Sequence, residues 1–265
     1  MRPIASLSTD QAAGIRFVLT DIDDTLTSQG KLGLEAYSAL WTLHRVGVHV
    51  VPVTGRPAGW CDLIARQWPV DAVIGENGAF VYYLSDEVLQ EFYHPSIASQ
   101  EVRERLEVLR EEVLDTVPGT RVAKDQFARR FDLAIDFNEE PPHLGLDVAN
   151  RVANICRRHG ANAKISSIHV NAWFGDYDKL SMAQLFLNRF RGITPDQQNR
   201  FVLYCGDSPN DEPMFAHYPL SCGVANLKKS IDLLTSLPTF ITENPNGAGF
   251  VELVNTLIEK RTSRQ

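Results

Sequence analysis

A doubly wound α/β core with a parallel sheet, interrupted by an inserted α+β unit, is the fold class the sequence predicts. Two observations carry it. Both ends of the chain alternate strand and helix patterns, and their strands are near-continuous apolar runs, as expected where helices cover both faces of a parallel sheet. Between them lies a block that reads helix, two strands, helix, two strands, enough for a self-contained α+β unit. A length of 265 residues, at the upper edge for one hydrophobic core, agrees with a core plus a smaller domain.

The elements follow in order. Ile15 to Leu19 reads as the first strand, after a polar lead-in from Met1 to Gly14. Leu34, Tyr37, Leu40, Trp41 and His44 recur at helical spacing until Gly47 ends that helix, and Val48 to Val53 supplies a buried strand that completes a βαβ unit. A second helix over about Ala58 to Gln67 precedes "VDAVIGENGAF" and two extended pieces, Phe80 to Leu84 and Val88 to Tyr93. After Pro95 the pattern changes. Val102, Leu106, Leu109 and Val113 mark an amphipathic helix, and strands are expected at Arg121–Lys124 and Leu133–Phe137. Val148, Val152 and Ile155 mark another helix, followed by strands at Lys164–Ser167 and Ile168–Phe174. From Leu180 the alternation resumes: a helix to Phe190, the strand "FVLYC", a short helix, "LSCGVA", a helix from Asn226, "TFIT" and a last helix from about Gly247. The expected division is 1–94 and 177–265 for the core, with 95–176 inserted.

Composition narrows the function classes. A net charge of −7 offers no basic field for a polyanion, so nucleic acid is not an expected partner. The four cysteines are widely spaced, form no C-x-x-C pair and lie in or beside apolar runs, which reads as buried thiols in a reducing compartment. The lead-in has no apolar targeting region, and nowhere do eighteen uncharged apolar residues run together. No membrane partner is expected, and the expected location is the cytoplasm. Oligomeric state is not readable.

The chemistry concentrates in "TDIDDTLT", where Asp21, Asp23 and Asp24 crowd the end of the first strand. Taken alone, this is equally a turn or helix-cap cluster. It is not an EF-hand, since the sixth and twelfth positions from Asp21 hold Leu26 and Leu32, and no G-x-G-x-x-G or P-loop follows the strand. Partners downstream decide the matter. Thr54 in "VPVTGRP" and Asp207 and Asp211 in "YCGDSPND" each stand just beyond another core strand, and ligands of open parallel sheets bind at those carboxyl ends. Crowded carboxylates are tolerable around a hard cation such as Mg²⁺, and Lys179 adds a cation for phosphate oxygens.

Asp21-Ile22-Asp23-Asp24-Thr25-Leu26, then Thr54, Lys179 and Gly206-Asp207-Ser208-Pro209-Asn210-Asp211, in that order, resemble the four motifs of the haloacid-dehalogenase superfamily of phosphohydrolases. The insertion between the second and third motifs, with "GENGA" ahead of it, is similar to the α+β (C2B-type) cap of the subfamily IIB or Cof-like proteins. That group includes sucrose-phosphate, trehalose-phosphate and mannosyl-phosphoglycerate phosphatases and the phosphomannomutases. The resemblance implies a Rossmann-like core and a Mg²⁺-dependent phosphatase acting on a small phosphorylated metabolite, a sugar phosphate above all. It makes Asp21 the nucleophile that forms an aspartyl-phosphate, and Asp23 the acid and then the base. It gives Mg²⁺ to Asp21, the backbone carbonyl of Asp23, Asp207 and Asp211, and the phosphoryl oxygens to Thr54 and Lys179. The plainer alternatives, given less weight, are helix caps for Thr54 and Asn210 and a solvated helix start for Lys179. Asp24, where many members carry Gly, takes a turn or supporting role. Leu180 departs from the Gly that often follows the lysine.

For substrate binding the candidates are Gly55, Arg56, Asn77, Gly78, Asn171 and Asn210. Glu76, Asn77 and Gly78 equally read as a glycine-containing turn. Arg129 and Arg130 suit an anionic substrate group or, more simply, a solvated face. His169, Asn171 and Trp173 alternate on one strand, where a ring can stack on a sugar and an amide can bind its hydroxyls. Trp60 and the remaining histidines are expected to pack on the core. Two rival activities share these residues: a phosphomutase that returns the phosphate to another hydroxyl, and a phosphosugar-binding protein without turnover.

Overall fold

The computed structural model describes residues 1–97 and 101–263. Six strands, all parallel, form its central sheet in the order Arg2–Pro3, Phe240–Ile241, Ser221–Gly223, Val202–Gly206, Phe17–Thr20, His49–Pro52. The apolar runs are strands because helices cover both faces. Val18, Val50 and Leu203 belong to one buried cluster with the helices Leu34–Arg45 and Asn246–Thr262. Their neighbours Phe17, Leu19, Val51 and Tyr204 point the other way, into a second cluster with Met182, Phe186 and Leu187 of the helix Lys179–Arg191. This period-two division is what a two-sided parallel sheet requires, and burying each large apolar side chain stabilises it by about 1.5–3 kcal/mol.

A three-stranded antiparallel sheet, Val73–Gly75, Phe80–Ser85 and Val88–Tyr93, continues from the core. A separate four-stranded antiparallel sheet follows, ordered Asn162–Ile165, His169–Trp173, Asp132–Asp136, Arg121–Val122. Its faces differ in chemistry. Leu133, Ile135, Val170 and Ala172 join the helices Glu101–Thr116 and Gly145–Arg158 in a third cluster that shares no residue with the first two. The alternate positions, Asp132, Asp136, His169 and Asn171, present polar groups on the opposite face. The expected insertion 95–176 includes residues 98–100, which lie outside the described residues.

Three expectations needed correction. The polar lead-in is structured: it holds the edge strand Arg2–Pro3 and the helix Thr9–Gly14, capped by Ser8 and Gln11, elements too short for hydrophobic periodicity to reveal. The helix expected from Asn226 is a 3-10 run, Ala225–Leu233, broken at Ser230. Trp60 and some of the other histidines do not pack on the core: Trp60 is 44% exposed, His44 and His143 are exposed and His159 is half-buried, whereas His49, His94 and His217 rest against the buried rings of Phe17, Tyr177 and Tyr218. Trp60 lies on an outer turn of its helix, where its ring underlies the Arg56 guanidinium at 4.3 Å. The four cysteines are buried free thiols, and no helix among the described residues is long and apolar enough to cross a membrane.

Candidate active site

Parallel pairing brings three strand ends side by side: Phe17–Thr20 delivers Asp21, Val202–Gly206 delivers Asp207, and His49–Pro52 leads to Thr54. Asp21, Asp207 and Asp211 form a buried trio in which one carboxylate oxygen from each lies within 4.8 Å of the others. Asp211 reaches back because residue 206 is glycine: a Cβ there would stand 2.4 Å from Asp211 Oδ2. That oxygen accepts the N–H groups of Asp207 (2.9 Å) and Ser208 (3.2 Å), and the Tyr204 hydroxyl donates to its partner oxygen. Asn226 Nδ2 donates to Asp207 at 3.0 Å.

Lys179 ties the trio together. It is the first residue of its helix, whose N-cap Asp178 forms a capping box with Ser181, so the side chain leaves from a fixed turn. Its Nζ donates to Asp21 Oδ2 and to Asp211 Oδ1, both at 2.8 Å. Burial alone would lower the lysine pKa, but Asp21 and Asp211 outweigh it and hold the cation. Burial pushes the Asp21 carboxyl up to about 7, opposed by Lys179 and assisted by Asp211. Asp207 is driven well upward by burial, then by Asp211 and Asp21. One lysine does not neutralise three buried carboxylates, and this all-oxygen donor set fits a hard divalent cation.

Asp23 stands apart from the trio. Arg56 Nε and Nη2 approach its carboxylate at 2.9–3.2 Å, a bidentate grip that fixes its direction. The same guanidinium reaches Glu139 (3.0 Å) and Asp125 (3.4 Å), and His169 Nε2 meets the other Glu139 oxygen at 2.8 Å. A chain of contacts therefore runs Asp23, Arg56, Glu139, His169, from the core to the four-stranded sheet. The His169 hydrogen bond, against burial and with the help of Arg56, holds the Glu139 carboxyl down at about 2. A depressed carboxyl stabilises the fold above its ordinary value of 4.5, and that contribution disappears as pH falls toward 2. Glu139→Gln is expected to lower stability by on the order of 1–2 kcal/mol at pH 6, discounted for partial exposure, with the difference vanishing near pH 2. Urea melts across that range check it; a pH-independent difference would contradict the assignment.

The other candidates distribute unevenly. Thr54 is fully buried and its hydroxyl accepts the Arg56 N–H at 3.0 Å, so it does not cap the helix Ala58–Gln67. Glu76 meets that helix's Ala58 N–H instead, at 3.0 Å. Gly55, Asn171 and Asn210 line a chamber of about 20 Å³ beside Asp21, Asp23 and Arg56. Asn210 Oδ1 accepts the Ser208 hydroxyl. Asn77 is buried beside Gly55 with a positive φ of 56°, and its Nδ2 has no partner. Gly78 does not line the chamber: its φ of +107° and the Asp178 carbonyl, 2.0 Å from where a Cβ would stand, make it a packing position behind Lys179. Asp24 has φ 54°, which accounts for glycine suiting this place, and Asn246 Nδ2 donates to its carboxylate.

Arg129 is not on a solvated face. It is buried against Asp132 and Asp125 and donates to the Gly55 carbonyl at 2.9 Å, whereas Arg130 is exposed and pairs with Glu91. Trp173 is unavailable for sugar stacking: it is buried, stacks on Tyr177 and donates its indole N–H to the Tyr177 carbonyl. Sequence reasoning missed Asp125, Asp132, Glu139, Tyr204 and Asn226. None has a motif; their only signal is being polar in or beside an apolar run.

The family model of haloacid dehalogenase-like hydrolases matches residues 18–120, which include Asp21, Asp23 and Thr54. No functionally curated protein matches the chain. Among solved structures, a protein from Thermoplasma acidophilum superposes with TM-score 0.70 at 19% identity, covering 92% of this chain and 98% of that one. The sucrose-phosphatase of Synechocystis, solved with sucrose and phosphate, gives 0.61 at 16% identity over 91% and 97%. The C-terminal domain of the C. albicans trehalose-6-phosphate phosphatase gives 0.71 at 14% identity over 96% of each. At these identities the structures establish a shared fold. Over residues 18–120 the chain is similar to the haloacid dehalogenase-like hydrolases, and over nearly its whole length it shares the fold of these structures.

Proposed function

We propose that the protein is a Mg²⁺-dependent phosphatase that hydrolyses a phosphate monoester of a sugar or related small metabolite through an aspartyl-phosphate. The observation that carries this reading is Lys179, buried and bonded at 2.8 Å to both Asp21 and Asp211 beside Asp207. A bound Mg²⁺, held by Asp21, Asp207, Asp211 and the backbone carbonyl of Asp23, would offset carboxylate repulsion and draw the phosphoryl group toward Asp21.

Asp21 attacks phosphorus with one carboxylate oxygen while the bond to the alcohol oxygen breaks. Asp23 gives that oxygen its proton, so the alcohol leaves neutral. Asp23 then takes a proton from water, whose oxygen attacks phosphorus; the bond to Asp21 breaks, and phosphate and both carboxyl groups are regenerated. Lys179 and Thr54 hold the phosphoryl oxygens, where negative charge gathers in the transition state. The unpartnered Asn77 Nδ2 is a further donor for the same group. Arg56 acts on Asp23 as a positioning residue. Residues 95–176 serve as a cap that excludes bulk water, and the sucrose- and trehalose-phosphate phosphatases among the structural relatives support a phosphosugar.

The test is phosphate release from a panel of sugar, polyol and glycerate phosphates, with Mg²⁺ or with chelator. Release from a few substrates, lost on chelation, is the expected result. A sugar phosphate that raises the melting temperature without turnover would replace this reading with a binding protein. Activation by a sugar bisphosphate without net phosphate loss would replace it with a mutase.

A further inference from the structure

The chamber beside Asp21 holds about 20 Å³, roughly one water, and has no room for the alcohol a phosphatase must release. A cleft of about 650 Å³ adjoins it and shares Ser166, Ser167, Ile168, Asp207, Ser208 and Asn210 with its lining. One wall belongs to the helix Gly145–Arg158 and the strand Asn162–Ile165; the other includes the 3-10 run Ala225–Leu233. The leaving group of any substrate whose phosphate reaches Asp21 therefore lies in this cleft.

Its charges are unusual for so acidic a chain. Arg157, Lys164 and Lys229 all line it, and among the described residues none forms an ion pair. The Arg157 guanidinium donates only to neutral oxygens, Asn154 Oδ1 and the Ala163 carbonyl, both at 3.2 Å. The acids of the cleft outside the carboxylate trio are engaged instead. Asp24 accepts from Asn246 at 3.1 Å, and Glu212 accepts the N–H groups of Thr235 (2.6 Å) and Ser236 (2.7 Å). The cations nearer the reaction centre, Arg56, Arg129 and Lys179, are by contrast each paired with two or more carboxylates. Positive charge facing a substrate-sized cleft in a protein with 33 acidic and 26 basic residues, and left without a carboxylate, fits an anion supplied by the ligand.

We propose that the substrate's alcohol portion carries a second anionic group, a carboxylate or another phosphate, bound between Lys164 on one wall and Lys229 on the other, with Arg157 flanking. The proposal rests on the phosphatase reading and narrows its substrate class to phosphate monoesters of acidic or doubly phosphorylated alcohols. Because the lysines belong to opposite walls, the same anion draws the four-stranded sheet toward the core.

Two matched pairs test it: glucitol 6-phosphate against 6-phosphogluconate, which differ by one carboxylate, and fructose 6-phosphate against fructose 1,6-bisphosphate. Affinities come from calorimetric titration of Asp21→Asn protein, so occupancy of the anion site is measured without turnover. At least one acidic member is expected to bind about tenfold tighter than its neutral partner, and adding Lys164→Ala and Lys229→Ala is expected to erase that preference while the neutral member changes less than about twofold. The pair that shows the preference identifies the second group as carboxylate or phosphate. Equal binding within both pairs, or a preference that survives the lysine substitutions, overturns the proposal. Phosphate release by the unsubstituted protein judges the phosphatase reading separately: turnover of the neutral esters alone would keep that reading and sink this one.

Discussion

Replacing Asp21 with Asn is expected to lower phosphate release by about four orders of magnitude or more, while the melting temperature stays within a few degrees. The size of the loss follows from chemistry. An amide oxygen does not form the acyl-phosphate, and the remaining carboxylates face other tasks: Asp211 is bound to Lys179, Tyr204 and two backbone N–H groups, and Asp23 is gripped by Arg56. The fold tolerates the change because Asn is nearly isosteric. Its oxygen can still accept the Ile22 N–H, which Asp21 Oδ1 meets at 2.8 Å, and Lys179 keeps Asp211 as its counterion. Removing one of several crowded buried acids also relieves the repulsion that raises Asp207. Steady-state phosphate release and a thermal melt on the same preparation check both halves. Turnover near that of the unsubstituted protein would refute the nucleophile assignment.

What was legible in the sequence depended on the range of the interactions involved. The central strands other than Arg2–Pro3 and the helices Leu34–Arg45, Ala58–Gln67 and Gly145–Arg158 were readable because each is an apolar run or buries a periodic apolar face, and both signals are local. Asp21, Thr54, Lys179, Asp207 and Asp211 were readable because each follows a core strand or starts the helix after the insertion, and parallel topology brings such positions to one end of the sheet. Arg56 and Asp23 were each singled out, but their pairing across 33 positions was not, and nothing local marks the further partners Asp125 and Glu139, 69 and 83 positions away. Arg129 shows the same limit more sharply. Beside Arg130 it reads as half of a charged surface pair, yet a 3-10 turn at Gln126–Ala128 directs it inward onto Asp132 and the Gly55 carbonyl. Trp60 failed in the opposite sense. A large ring at a helix start reads as core, while here it serves as a platform for a guanidinium.

Glu76 carries the largest expected effect on stability. Its side chain is fully buried, and its two oxygens accept four contacts from three backbone N–H groups: Ala58 at 3.0 Å, Arg130 at 2.9 and 3.1 Å, and Phe131 at 2.6 Å. Ala58 begins the helix that follows the Thr54–Arg56 loop, while Arg130 and Phe131 lead into the strand Asp132–Asp136. One carboxyl group therefore joins the loop that aims Arg56 to the sheet that carries Asp132 and, on the adjacent strand, His169. Glu76→Ala removes the acceptor from all three donors and is expected to cost about 3–5 kcal/mol, because Ala58 is buried and unsatisfied buried groups are costly. Glu76→Gln, which keeps one acceptor oxygen, should recover roughly half of that. The pH dependence gives a second check. Burial, then Asp132, pushes the Glu76 carboxyl from 4.5 up to about 7 against the backbone donors and Arg129. The folded protein then holds a proton that the unfolded chain has released between those values, so this contribution is full below pH 4.5 and lost as pH rises through 7. The stability gap between the unsubstituted protein and Glu76→Ala, from urea melts, should be wider at about pH 5 than at about pH 8. A gap that widens toward the alkaline end would mean that the ionised form makes the stronger bridge and that the backbone donors outweigh desolvation at this site.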